Sequence, residues 1–137
     1  MKRGDRGDVN IEVVIGVSAL IVLFGLALVG MRVITAESAV DEAARSAARA
    51  ASLARDGHAA ASVAEARARA VIAQQGLNCD NLNIAVDARD FGKPLGETGY
   101  VIATISCEIT FGDLMIPGSR LAASEFRSPI DRYGARR

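Results

Sequence analysis

Tryptophan is absent, and the chain holds only four Phe, two Tyr and one His. So few aromatics cannot build a stacking platform for single-stranded nucleic acid, and they leave little bulk for a large enzyme-type core. Net charge is missing too, because sixteen basic residues cancel sixteen acidic ones. No global field attracts nucleic acid or acidic substrates, and no nucleic-acid partner is expected. His58 has no Cys, His or acidic partner at ligand spacing, which argues for a loop residue and against a metal site. A Ser/His/Asp set, a Gly-rich phosphate loop and a Cys-x-x-Cys pair are likewise lacking. Neither enzymatic activity nor a cofactor is expected. At 137 residues there is room for one domain.

What the chain does have is one uninterrupted apolar block. Val13 to Met31 contains nineteen residues with only Ser18 polar, and twelve of them are Val, Ile, Leu or Phe. As a helix it would span roughly 28 Å, close to the ~30 Å hydrocarbon core of a bilayer. Insertion should be favourable by on the order of 4 to 7 kcal/mol. The rest of the chain has too few large apolar residues to wrap such a helix in a soluble core. Lys2, Arg3 and Arg6 precede the block, whereas only Arg32 comes after it before Glu37, Asp41 and Glu42. The positive-inside rule therefore keeps the N-terminus cytoplasmic and exports the chain beyond Met31. That topology also removes the two Arg-Gly-Asp tripeptides, at residues 3–5 and 6–8, from any adhesive role. A secretory signal peptide would have a shorter apolar region, and its best cleavage site here, Ile34-Thr35-Ala36, is poor.

Glu12 sits at the edge of this block, where an ionisable group is costly and is a functional candidate by default. Gly7 lies five residues before it and closes a short basic leader. The arrangement resembles a class III, type IV pilin-like signal. In that family a membrane aspartyl peptidase cuts after the Gly on the cytoplasmic face and leaves the apolar helix attached. The resemblance implies cleavage between Gly7 and Asp8, with Glu12 as the fifth mature residue. A new α-amine would then give a neighbouring subunit's Glu12 a cationic partner in an apolar bundle. The alternative is that Glu12 snorkels to the cytoplasmic interface. Asp8 and Val13 depart from the pattern, since many pilins start with an apolar residue and Flp-type pilins often have Tyr at the sixth position.

Beyond the membrane the helical pattern continues. Val33, Ala36, Val40, Ala43 or Ala44, Ala47, Ala51 and Ala54 share one face, with Asp41 and Arg45 paired on the other. The rod from about Val9 to Ala54 would be roughly 70 Å long. Its alanine stripe reads either as ordinary helix propensity or as a packing face for neighbouring subunits. Arg55 to His58 breaks the pattern. A second helix comes next, with Ser62 and Glu65 as a capping box, Glu65 and Arg69 as an i,i+4 pair, and Gly76 as its stop.

From Leu77 the period changes to two. Ile84, Val86 and Ala88 suggest a short strand, and Tyr100 to Phe111 a longer one with Val101, Ala103, Ile105, Cys107, Ile109 and Phe111 on its inner face. Residues 90–99 read as a loop, 112–118 as a turn, and Arg120 to Phe126 as a third strand. Cys79 and Cys107, in an exported head, suggest a disulfide contributing roughly 3–4 kcal/mol, with two separate buried thiols as the alternative. Arg127, Arg132, Arg136 and Arg137 read as a solvated tail. The fold class is α+β: a long N-terminal helix, membrane-spanning in its first half, and a second helix packed on a small antiparallel sheet. The divisions are a leader at 1–7, the Glu12 segment at 8–12, a transmembrane helix at 13–31, extracytoplasmic Ala/Arg-rich helices at 32–76 and a β-rich head at 77–137.

Together these pieces resemble the TadE-like minor pilins, or pseudopilins, of the Tad/Flp pilus machinery. The residues that carry the resemblance are Arg6-Gly7-Asp8 to Glu12, the apolar block, the Ala/Arg helix, and the stretch from Ile116-Pro117-Gly118 to Ser128-Pro129-Ile130-Asp131-Arg132-Tyr133. The resemblance implies a structural role in assembling a pilus or related secretion apparatus from the bacterial cytoplasmic membrane. The partners it implies are a prepilin peptidase, other pilin or pseudopilin subunits, assembly-platform proteins and the lipid bilayer. Two other classes stay open: an uncleaved bitopic protein with an extracytoplasmic binding module, and a secreted protein released by signal peptidase.

Overall fold

With no proline before Pro94 and alanine abundant through its second half, nothing interrupts the first helix, α1, which runs from Asp5 to Ser52. The computed structural model describes the backbone of residues 5–131 and the side chains of 11–131. Arg132, Arg136, Arg137 and Tyr133 lie outside the described residues. Two compact units divide between Val33 and Ile34. The first is the apolar part of α1. The second contains the rest of the chain and has an α+β fold.

The second helix, α2, spans Gly57–Gln74 and starts at Asp56, not at Ser62. Asp56 has extended backbone angles, and its Oδ1 accepts the Ala59 N–H at 2.8 Å. The expected capping box is therefore corrected: Ser62 lies inside the helix and its Oγ donates to the Ala59 carbonyl at 3.0 Å. An aspartate cap, followed after Gly57-His58 by three alanines, starts the helix before the Ser62–Glu65 pattern can act. Glu65 does pair with Arg69, at 2.8 Å. At the other end Gly76, at φ +64°, donates to the Ala73 carbonyl, and the Leu77 N–H reaches the Ile72 carbonyl. This pair of bonds is a Schellman motif, and its left-handed residue explains the glycine.

Three strands complete the fold, β1 (Asn81–Asp87), β2 (Tyr100–Thr110) and β3 (Ser119–Pro129), in an antiparallel sheet with β2 central. Ala88 falls just outside β1, where a short 3-10 turn, Arg89–Gly92, begins. β3 extends past Phe126, so Arg127 is a strand residue and not part of a tail. Along β2 every second residue, Val101 to Ile109, is buried, as the alternation requires, and Phe111 is buried just after it.

Inside the second unit the alanine stripe of α1 is one side of the core, facing Val101, Ile105 and Ile109 of β2. Ala36, Val40, Ala43, Ala44, Ala47, Ala48 and Ala51 are all fully buried, together with Ala60, Ala64 and Ala68 of α2. Each buried methyl contributes only about 0.8 kcal/mol, but such small side chains let the helices and sheet approach closely. The stripe is therefore covered by its own chain, and a packing face for neighbouring subunits along it is excluded. β3 runs beside α1 in the same direction. Ser124 Oγ donates to Asp41 Oδ1 at 3.0 Å, Arg45 lies 5.4 Å from the Phe126 ring centroid, and Ser128 Oγ donates to Ser52 Oγ at 3.1 Å. The Asp41–Arg45 pair is also formed, at 2.9 Å.

Candidate functional site

Two regions of the described residues carry chemistry that the fold alone does not require. The first is the amino-terminal part of α1. From Ile11 to Phe24 every side chain is exposed, with Leu20 at 68% and Ile15 at 65%. This is the one described helix long and apolar enough to cross a membrane, and none of its apolar window is buried within the chain. Ser18, the only polar residue between Val13 and Met31, donates its hydroxyl to the Val14 carbonyl at 2.8 Å, which removes the cost of an unpaired group in an apolar medium. Glu12 is exposed at the edge of this stretch and has no ion-pair partner among the described residues. Gly7 and Asp8 fall in the opening turns of α1, and their side chains lie outside the described residues.

The second region is a shallow cleft of about 380 Å³ on the outer face of the sheet, lined by Asp87, Arg89, Asp90, Tyr100, Ile102 and Arg127. The register brings them together, because Asp87 faces Ile102 across β1–β2 and Ile102 faces Arg127 across β2–β3. Asp87 accepts hydrogen bonds from the Arg89 side chain and backbone, and that pairing holds its carboxyl down at about 2. The same pairing raises Arg89 above the ordinary arginine value. Asp90 pairs with Lys93 at 2.9 Å and accepts the Tyr100 N–H at 3.0 Å, and these contacts, Lys93 first, lower its pKa. Arg127 covers the Tyr100 ring at 5.0 Å.

Each charge in the cleft thus has a counter-ion or an aromatic ring, and Asp90 fastens the 88–100 loop to β2. The loop has little room to move there. A Cβ at Gly99 would come within 3.2 Å of the Asp90 carbonyl, and the Gly99 carbonyl accepts the N–H of buried Ile130 at 2.9 Å. Sequence reasoning did not single out this cleft. The acidic and basic cluster at residues 87–90 was its only local signal.

Cys79 and Cys107 form a disulfide with Cα atoms 5.3 Å apart. It joins the segment after α2 to β2, and the loop it closes contains the edge strand β1. His58 is exposed in the first turn of α2, and among the described residues no group of His, Cys, Asp and Glu could hold a metal ion. Set against protein-family models, curated proteins and solved structures, the chain gives no match in any of the three comparisons.

Proposed function

We propose that the chain is a TadE-like minor pilin or pseudopilin, a structural component that assists assembly of a Tad/Flp-type pilus or a related secretion apparatus. The observation that carries the reading is the fully exposed apolar stretch of α1 with Glu12 at its edge. Large aliphatic side chains at 60% exposure and above need a non-aqueous medium, and a bilayer supplies one. Within the bilayer Glu12 needs a cation, which the new amino terminus of a neighbouring subunit provides after cleavage between Gly7 and Asp8. The orientation is N-terminus cytoplasmic, with the α+β unit outside the bacterial cytoplasmic membrane, and the disulfide fits that oxidising side.

The partners are then a prepilin peptidase, other pilin or pseudopilin subunits and the assembly platform. Subunit contacts would fall on the apolar stretch, because the alanine face of the second unit is already occupied. A second reading, an uncleaved bitopic binding module, is favoured by the outer-face cleft alone.

Two variants test the proposal. Gly7→Leu crowds the peptidase site, and the full-length chain should accumulate in the membrane. Glu12→Val removes a polar cost, so insertion should persist while incorporation into sheared surface filaments is lost. Normal incorporation of Glu12→Val as the sole copy would contradict the pairing role.

A further inference from the structure

The turn between β2 and β3 carries more exposed apolar surface than a turn in water needs. Its sequence is Gly112-Asp113-Leu114-Met115-Ile116-Pro117-Gly118, with Met115 95% and Ile116 39% exposed. Leu121, 62% exposed, lies on the adjoining outer face. This turn is well formed. The Leu114 and Met115 N–H groups donate to the Phe111 and Gly112 carbonyls at 2.9 and 3.1 Å, and the Phe111 N–H donates to the Gly118 carbonyl. Buried Phe111 roots it in the core, and Met115 is held in the left-handed region at φ +57°. Asp113, its only charged residue, is engaged within the chain. A tip whose Leu114, Met115 and Ile116 N–H groups are paired, and whose Pro117 has none, enters an interfacial, water-poor layer at reduced cost.

Its place in the fold supplies the occupant. Arg120, at the start of β3, pairs with Glu37 at 3.4 Å, so the turn lies at the Ile34 end of the second unit. Only Arg32 and Val33 separate Ile34 from Met31, the last residue of the apolar block. Three residues of chain, at no more than about 3.6 Å each, keep Ile34 within roughly 11 Å of the point where the block ends.

We propose that the β2–β3 turn is a second, shallow membrane contact, placing Met115 and Ile116 at the headgroup–acyl boundary of the leaflet that the head faces. The proposal rests on the reading that residues 13–31 span the bilayer. The Asp90–Tyr100 loop lies at the opposite end of the sheet from this contact. β2 separates these two ends by roughly 35 Å.

The absence of Trp makes the test direct. The full chain is reconstituted into phosphatidylcholine–phosphatidylglycerol vesicles whose acyl chains are brominated near the headgroup, with one Trp introduced at a time. Met115→Trp should show blue-shifted emission that brominated lipid quenches, and Ile116→Trp should repeat this should Met115→Trp fail to fold. Leu95→Trp, exposed at the opposite end of the sheet, should emit as in water and stay unquenched. Phe24→Trp, near the middle of the apolar block, should be quenched in parallel vesicles brominated toward the ends of the acyl chains and reports the span independently.

Quenching of Phe24→Trp with water-like emission from Met115→Trp would overturn the turn contact and leave the span standing. A blue-shifted but unquenched Met115→Trp would mean that protein, such as a second copy, covers the turn, which also overturns it. Quenching at Leu95→Trp as well would show a contact not confined to the turn, again against the proposal. An unquenched Phe24→Trp would remove the span and the turn contact together.

Discussion

The two halves of α1 are hydrophobic in opposite ways. Between Val13 and Met31 most side chains are large, and all but Gly25 and Val29 are exposed. Between Ala36 and Ala51 the core-facing ones are mostly single methyl groups and are completely buried. A protein folding in water would place its bulk inside and its alanines anywhere. Here the bulk of α1 lies outside the chain's own core, and the face that α1 turns into that core carries the smallest side chains. Apolar character alone therefore does not say where a helix face goes. Side-chain size does, because only small groups permit close helix–sheet packing and only large ones give enough transfer energy for a bilayer.

The contrast is broken most strongly at the disulfide. Helix faces made mostly of methyl groups add little to the core, and a bridge spanning a separation of 28 residues contributes roughly 3–4 kcal/mol by restricting the unfolded chain. Cys79→Ser should lower the steady-state abundance of the protein sharply and leave its membrane insertion unchanged, as measured by immunoblot of membrane fractions. Unchanged abundance would mean that the packed core suffices without the bridge.

Next comes a pair of substitutions that exchange the character of the two halves. Ala47→Leu forces three extra carbons into a site with no exposure, which should cost about 1–3 kcal/mol or more. Leu20→Ala removes the same atoms from an exposed site and should leave head stability unaltered. Thermal unfolding of the full chain in bilayers, monitored by reactivity of the released cysteines under reducing conditions, separates the two. Equal effects would erase the distinction between the halves.

How much of this was legible varies by element. The period-two run of β2 declared its inner face, because alternation in a central strand leaves one reading. The apolar block was equally plain, since length and lack of charge set it apart. The alanine stripe showed a face but not its partner, because a methyl surface suits a neighbouring helix and the chain's own sheet alike. Only tertiary packing decides between them, and Ser124 on Asp41 and Ser128 on Ser52 are contacts that span most of the chain. Ser62 and Glu65 matched a cap pattern, yet Asp56 reached the free N–H groups first. The cleft was illegible, since Asp87, Ile102 and Arg127 meet only through the register of three strands.

The smallest effect belongs to that cleft. Asp87 titrates lower in the folded chain than its ordinary 3.8 because Arg89 hydrogen-bonds its ionised form. Its contribution is therefore present above about pH 4 and is lost as pH falls through about 2. Carboxyl NMR should give a midpoint near 2 for Asp87, moving up toward 3.8 in Arg89→Ala. A midpoint unaffected by that change would assign the depression to another cause.

The account turns on whether the apolar half of α1 stays attached while the leader is removed. The intact mass of the protein extracted from membranes of its native host reads this directly. Removal of residues 1–7, leaving Asp8 as the first residue and Glu12 as the fifth, is the expected result. An unprocessed chain would contradict the pilin reading. Loss of residues 1–36 would contradict the whole comparison, since it discards the apolar half and takes Ala36 out of the core.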